Sequence, residues 1–117
     1  MAMSRAHFSG STSGRPIPVA ATGTPGTAIH VAVAGAISMD VIYLFVSNVT
    51  AAAALLTIEF GGVGDPTDHI VKALSIAANS GPVPVIVGQG MNGGLTIRAF
   101  CPTASALNIS GWVNQIR

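Results

Sequence analysis

Val41-Ile42-Tyr43-Leu44-Phe45-Val46-Ser47-Asn48 decides how this chain is read. Its first six residues are apolar throughout and mostly β-branched or aromatic, and the run stops at the turn-forming pair Ser47-Asn48. A segment of that kind is a strand covered on both faces. Upstream, Ile29, Val31 and Val33 alternate with His30, Ala32 and Ala34 until Gly35 interrupts, which is the period-two pattern of a half-buried strand. Downstream, Ala51 to Ala54 favour helix by propensity, but the run is short and flows into strand-like Leu55-Leu56-Thr57-Ile58-Glu59-Phe60, stopped by Gly61-Gly62.

Four further apolar units follow: Ile70 to Ile76, Val83 to Val87, Leu95 to Phe100 and Leu107 to Ile116. Turn chemistry separates them, and no amphipathic helix intervenes. The pattern predicts an all-β domain over residues 27–117, an antiparallel β-sandwich or jelly-roll-like barrel of about seven to eight short strands. Gly90-Met91-Asn92-Gly93-Gly94 between two apolar units predicts a hairpin, since Asn-Gly tolerates the positive φ of tight turns. Residues 1–26 are rich in Ser, Thr, Gly, Pro and Ala and cannot build a hydrophobic face alone, so they are expected as an extended N-terminal arm. Phe8, Ile17 and Val19 give that arm apolar anchors for a neighbouring subunit.

The chain has 117 residues and nine charges, 8% of the sequence, against roughly 25% in soluble globular chains. Folded alone it would expose about 5,900 Å², or roughly 650 Å² per charge, which is too sparse for a free monomer. Half the residues are apolar and the mean hydropathy is +0.62, so a packed domain is required. A net charge of +1, with its basic residues scattered singly, offers no footprint for nucleic acid or anionic lipid. The greasiest stretch, Ala28 to Val46, contains His30, Ser38 and Asp40 and fits strands better than a membrane span. No apolar run in the first fifteen residues serves as a signal peptide, so the Asn48 and Asn108 sequons are read as chance and the protein as unsecreted. Cys101 alone cannot form an internal disulfide and is read as a small core hydrophobe.

Candidate chemistry is thin. Gly88-Gln89-Gly90-Met91-Asn92-Gly93 matches G-x-G-x-x-G, but a strand rather than a helix follows it, so no helix N-terminus is available for a pyrophosphate. Asp65, Asp68 and His69 on a Gly-rich loop are candidate ligands for a hard cation, yet their spacing fits no EF-hand or zinc pattern. The commoner use of such residues is bonding local backbone N–H groups. His7, His30 and His69 belong to no nucleophile signature, so no enzyme activity, cofactor or metal is expected. Trp112 and Tyr43 are read as core or interface packing rather than a base- or sugar-stacking platform.

An edge strand or apolar patch left in water invites aggregation, and this chain has a single lysine, Lys72, to guard its edges. The expected guard is burial in a permanent homo-oligomer. In it, Val41 to Val46 faces the core on one side and a neighbour on the other, with Tyr43 and Phe45 at the interface.

From about residue 40 onward the chain resembles small virion structural proteins of tailed bacteriophages. The likeness is carried by Val41 to Thr50, Leu56-Thr57-Ile58-Glu59-Phe60-Gly61-Gly62, Asp68-His69-Ile70, Gly81 to Val87, Asn92-Gly93-Gly94-Leu95, Arg98-Ala99-Phe100 and Ile109 to Asn114. Within that group it is most similar to head decoration, or cement, proteins. The resemblance implies a non-enzymatic protein made in the host cytoplasm and carried on the capsid's outer surface, a trimer bracing the major capsid protein. Under that reading Arg5, Phe8, Arg15 and Ile17 of the arm meet the lattice, and removing residues 1–26 leaves a folded oligomer that no longer attaches. The alternatives are a tail, neck or fibre-base component, and a small-ligand or carbohydrate-binding module.

Overall fold

A computed structural model describes residues 2–117. Its strands are β1 (Met3–Ala6), β2 (Ile17–Pro18), β3 (Thr27–Val31), β4 (Met39–Asn48), β5 (Ala54–Phe60), β6 (His69–Ile76), β7 (Ser80–Met91), β8 (Thr96–Phe100) and β9 (Leu107–Ile116). One sheet runs β1-β9-β4-β7, with β2 beside β1 along the same edge of β9. The other runs β3-β8-β5-β6, and every pairing is antiparallel. The fold is the expected all-β sandwich, with no helix among the described residues. From β2 onward each connection crosses to the opposite sheet except the β5–β6 hairpin. With β1 and β2 taken as one interrupted strand, that is the double Greek-key wrapping of a jelly roll.

Period-two burial builds the core. In β4 the side chains of Ile42, Leu44 and Val46 are fully buried, while Val41, Tyr43 and Phe45 between them stay half exposed. Ile109 and Val113 of β9 flank them, and Leu56, Ile58, Ile97 and Ala99 complete the cluster from the second sheet. The sequence expectation that β4 is covered on both faces is met on one side only within the chain. At Gly111, opposite Leu44, a Cβ would strike the backbone carbonyl of Tyr43, and φ is +137°. Only glycine lets β9 approach β4 there.

The arm expected over residues 1–26 needs a correction: its described part, residues 2–26, does not stand apart from the sandwich. Phe8 is 2% exposed, and Ile17 and Val19 are buried beside it in the core. Backbone bonds along β9 fix β1 and β2. Further on, Glu59 Oε2 accepts from Thr24 Oγ1 at 2.5 Å and Glu59 Oε1 from the Gly26 amide at 2.6 Å, strapping residues 24–26 over β5. The segment lacks a hydrophobic face of its own, as its composition implies. It gains one by lending isolated apolar side chains to the sandwich and its backbone donors to a sheet edge and a carboxylate.

The hairpin at Gly90 to Gly94 is a second correction. The turn forms, with Gly93 and Gly94 at positive φ, but β7 pairs with β4 and β8 with β5 and β3, so the turn carries the chain between sheets. Backbone bonds from Gly93 to the Gly35 carbonyl and from Gly94 to that of Val33 stitch it to the β3–β4 loop. Turn chemistry fixes a reversal; Met91 and Ile97 on either side of it enter the same core from opposite sheets.

Candidate functional site

Register places the outer-facing residues of the first sheet in rows. Tyr43 of β4 lies opposite Trp112 of β9 and Val87 of β7, and Phe45 lies opposite Ser110 and Pro84. One pleat on, Val41 faces Asn114 and Met39 faces Ile116, which in turn faces Met3 of β1. The aromatic rings form a contiguous stack. Tyr43 and Trp112 lie 5.1 Å apart at 11°, Phe45 and Trp112 are 5.7 Å apart at 25°, and the Arg5 guanidinium sits 4.9 Å above the indole. Cross-strand aromatic pairing and a cation over the indole face each favour this arrangement. Among the described residues Arg5 is the only charged side chain on this face, and Val87, on the edge strand β7 opposite Tyr43, is 68% exposed. The surface has the composition of an interface core: Trp, Tyr, Met and Arg present, acids and lysine missing.

The four sheet edges, by contrast, are guarded within the chain. Along β7, Pro82 and Pro84 lack amide donors and the register against β4 shifts three times. The edge of β3 is covered by the N-terminal segment: Val31 donates its amide to Ser9 Oγ at 2.8 Å, and Gly10 donates to the Ile29 carbonyl. β6 carries Lys72, Ala73 in the left-handed region and two register shifts, while β1 is only four residues long. The scarcity of lysine is therefore made good by bulges, prolines and a covering strap. What remains unguarded is the outer face of the first sheet.

His30 and Asp40 occupy each other in the interior, whereas both ring nitrogens of His69 and the Trp112 indole N–H are buried without a hydrogen-bond partner. His30 Nδ1 accepts from the Ser9 amide at 3.0 Å; an amide only donates, so the ring proton sits on Nε2, 2.8 Å from Asp40 Oδ2. Asp40 Oδ1 accepts from Arg117 at 2.9 Å, and Oδ2 also takes the Val33 amide. Both imidazole nitrogens are thus engaged, and the cluster ties four segments together rather than facing a substrate. At the β5–β6 loop, Asp68 Oδ2 accepts from the Gly64 amide at 2.8 Å, a local turn bond of the expected kind. Asp65 instead pairs with Lys72 at 2.7 Å, which holds its carboxyl below the ordinary value. His69 Nδ1 lies 3.5 Å from Asp65, and its ring meets the edge of Phe100. No group of three or more His, Cys, Asp or Glu residues among those described is arranged to hold a metal ion.

The structure separates the four residues expected to touch a partner. Phe8 and Ile17 are in the chain's own core, Arg15 is exposed on the loop before β2, and Arg5 stands on the aromatic stack. Tyr43 and Phe45, expected at an oligomer interface, stand together on the outer face of the first sheet. Sequence reasoning took Trp112 as packing and missed that it is the hub of the stack. The signal was there: within β9, Trp112 lies between Gly111 and the inward-facing Val113, so period two turns it outward. A cleft of about 630 Å³ beside it is lined by Arg5, Ala6, His7, Gly14, Gly111 and Trp112. No helix of the described residues is long and apolar enough to cross a membrane. No protein-family model, curated protein or solved structure matches the chain.

Proposed function

We propose that the protein is a non-enzymatic structural subunit of a tailed-phage virion, a head decoration or cement protein. It binds the lattice of the major capsid protein as a homo-oligomer, a trimer above all, on the outer surface of the head. The observation that carries this reading is the outer face of the β1-β9-β4-β7 sheet, where a stack of three aromatic rings and exposed Val87 share one charge. Obligate interfaces resemble a core cut in half, and this face does too. The jelly-roll wrapping agrees by fold-level analogy, since that architecture recurs in viral capsid domains. Decoration then works by mass action: a protein that binds only the assembled shell shifts the equilibrium toward it, and joined copies multiply weak contacts.

The test is re-addition of purified protein to heads stripped of it, with copy number read from the saturated particles. Hundreds of copies and a raised temperature of head disruption are expected. About a dozen copies would assign the chain to a neck or tail ring instead, and no binding would reject the virion reading. The cleft beside Trp112 favours a second reading, a small-ligand or carbohydrate-binding module, because an indole with an arginine and a histidine suits a polar ring. Glycan-array binding by the isolated protein separates the two.

A further inference from the structure

The interruption between β1 and β2 opens the cleft beside Trp112. β1 pairs with β9 from Val113 to Ile116 and β2 pairs with Asn108 and Ile109, so Ser110 to Trp112 have no strand beside them on that edge. Between Ala6 and Ile17 the chain loops outward, and the gap it leaves is the cleft of about 630 Å³, with Arg5, His7 and Gly14 from the N-terminal segment and Gly111 and Trp112 from β9. The loop is ordered by its own bonds. Ser11 donates its amide to the Phe8 carbonyl and its hydroxyl to the Arg15 carbonyl, and the Arg15 amide donates to Thr12. At Gly14 a Cβ would fall 2.8 Å from the His7 ring, so the loop backbone rests against the imidazole. A site ordered in advance loses little entropy on binding.

The charge in the cleft has one sign. Arg5 stands 4.9 Å from the indole centroid, and its Nε reaches the neutral Asn114 side-chain oxygen at 3.5 Å. Neither Arg5 nor His7 belongs to an ion pair among the described residues. None of the chain's four acids lines the cleft: Asp40 is held by Arg117 and His30, Glu59 by the strap, Asp65 by Lys72 and Asp68 by the Gly64 amide. Trp112, whose buried indole N–H has no hydrogen-bond partner, supplies an aromatic wall.

We infer that this cleft binds a sugar ring that carries a carboxylate, an inference that rests on the ligand-binding reading and gives it a ligand class. The planar guanidinium fork of Arg5 matches two carboxylate oxygens, and the sugar hydroxyls find the His7 imidazole and the unpaired edge of β9. The volume falls within the roughly 300–1,000 Å³ of small-molecule sites. Size decides against an added peptide strand, because three residues of free edge span about 10 Å, short of the usual five to six residues. The cleft also lies on the opposite side of β9 from Tyr43 and Phe45, which carry the aromatic stack over β4.

The experiment titrates the full-length chain with glucuronate and with glucose, alike but for the carboxylate, and with inorganic phosphate and a polyglutamate peptide. Trp112 is the only tryptophan, so its emission follows occupancy, and calorimetry run in parallel catches binding that leaves the emission unchanged. The expected result is saturable binding of glucuronate, at least about tenfold tighter than that of the other three probes. Arg5→Gln, at an exposed position, should keep the wild-type unfolding midpoint and weaken glucuronate at least about tenfold, while Arg15→Gln, on the same loop but outside the cleft, binds as wild type. Equal affinity for glucose and glucuronate, or undiminished binding in Arg5→Gln, overturns the inference and leaves the ligand-binding reading standing. Phosphate bound as tightly as glucuronate makes the cleft a bare oxyanion site and overturns it, and tighter binding of the peptide does the same. If neither sugar binds, the inference and the ligand-binding reading fall together, and the decoration reading is untouched.

Discussion

The two sheets finish their outer faces in different ways. On β3-β8-β5-β6, register places Glu59 beside Arg98 and His69, with Thr57 and Lys72 nearby, and the strap at residues 24–26 closes over the carboxylate. On β1-β9-β4-β7 the same positions hold Tyr43, Phe45, Trp112, Val87 and Pro84, with Arg5 the one charge. The second face is mixed, with Glu59 under the strap and Leu55, Ile70 and Leu74 exposed on the same strands; the first is aromatic, with its rings half-buried against one another. Average composition conceals this, because nine charges spread over 5822 Å² look uniformly scarce. They are instead gathered on one sheet, in the interior and on loops.

The strongest effect separating the two faces concerns the strap. Deleting residues 1–26 should abolish the fold, because it removes Phe8, Ile17 and Val19 from the core and uncovers Glu59. Phe8→Ala alone should cost about 3–5 kcal/mol, read from the denaturant midpoint. A truncated chain that still unfolds cooperatively at the wild-type midpoint would restore the picture of a separate arm. On the open face, Phe45→Asp should leave the fold intact yet break the oligomer to monomers in sedimentation velocity, whereas Leu55→Asp on the strapped sheet should leave the oligomer whole. Equal behaviour of the two variants would erase the distinction.

A smaller effect belongs to the strap's anchor. Glu59→Gln can keep its oxygen on the Gly26 amide and donate its N–H₂ to the Thr24 hydroxyl, so only the charge assistance of the two bonds is lost and a decrease of about 1 kcal/mol in unfolding free energy is expected. The smallest is at the loop: Lys72→Ala should raise the Asp65 pKa toward its ordinary value, followed by NMR titration of the side-chain carboxyl. The sign follows from linkage. Asp65 is depressed in the folded state, so its contribution is present above the ordinary carboxylate range and lost as pH falls through the depressed value. In Lys72→Ala that acid-side loss should disappear, and an unmoved Asp65 titration would show that the ion pair does not form in solution.

The strands were legible because burial in a sheet writes period two into the sequence. Leu107 to Ile116 matches β9 residue for residue, and Val41 to Val46 lies inside β4. Sheet membership was not legible, since a Gly-rich turn such as Gly90 to Gly94 reports a reversal and not which neighbour the next strand meets. The role of residues 1–26 was hidden for a different reason. Isolated Phe8, Ile17 and Val19 carry no period, and a strand as short as β2 is set by pairing with β9 rather than by propensity. Tyr43 and Phe45 were identifiable from an over-apolar strand, but their convergence with Trp112 and Arg5 depends on β9 and β1 lying alongside, which only the topology supplies.

Native mass spectrometry of the full-length chain tests most directly whether the aromatic sheet face is covered by companion chains. One homo-oligomeric species, a trimer above all, that persists on dilution and collapses to monomer in Phe45→Asp is the expected outcome. A wild-type chain that stays monomeric and soluble at high concentration, with Tyr43, Phe45 and Trp112 open to water, would contradict it.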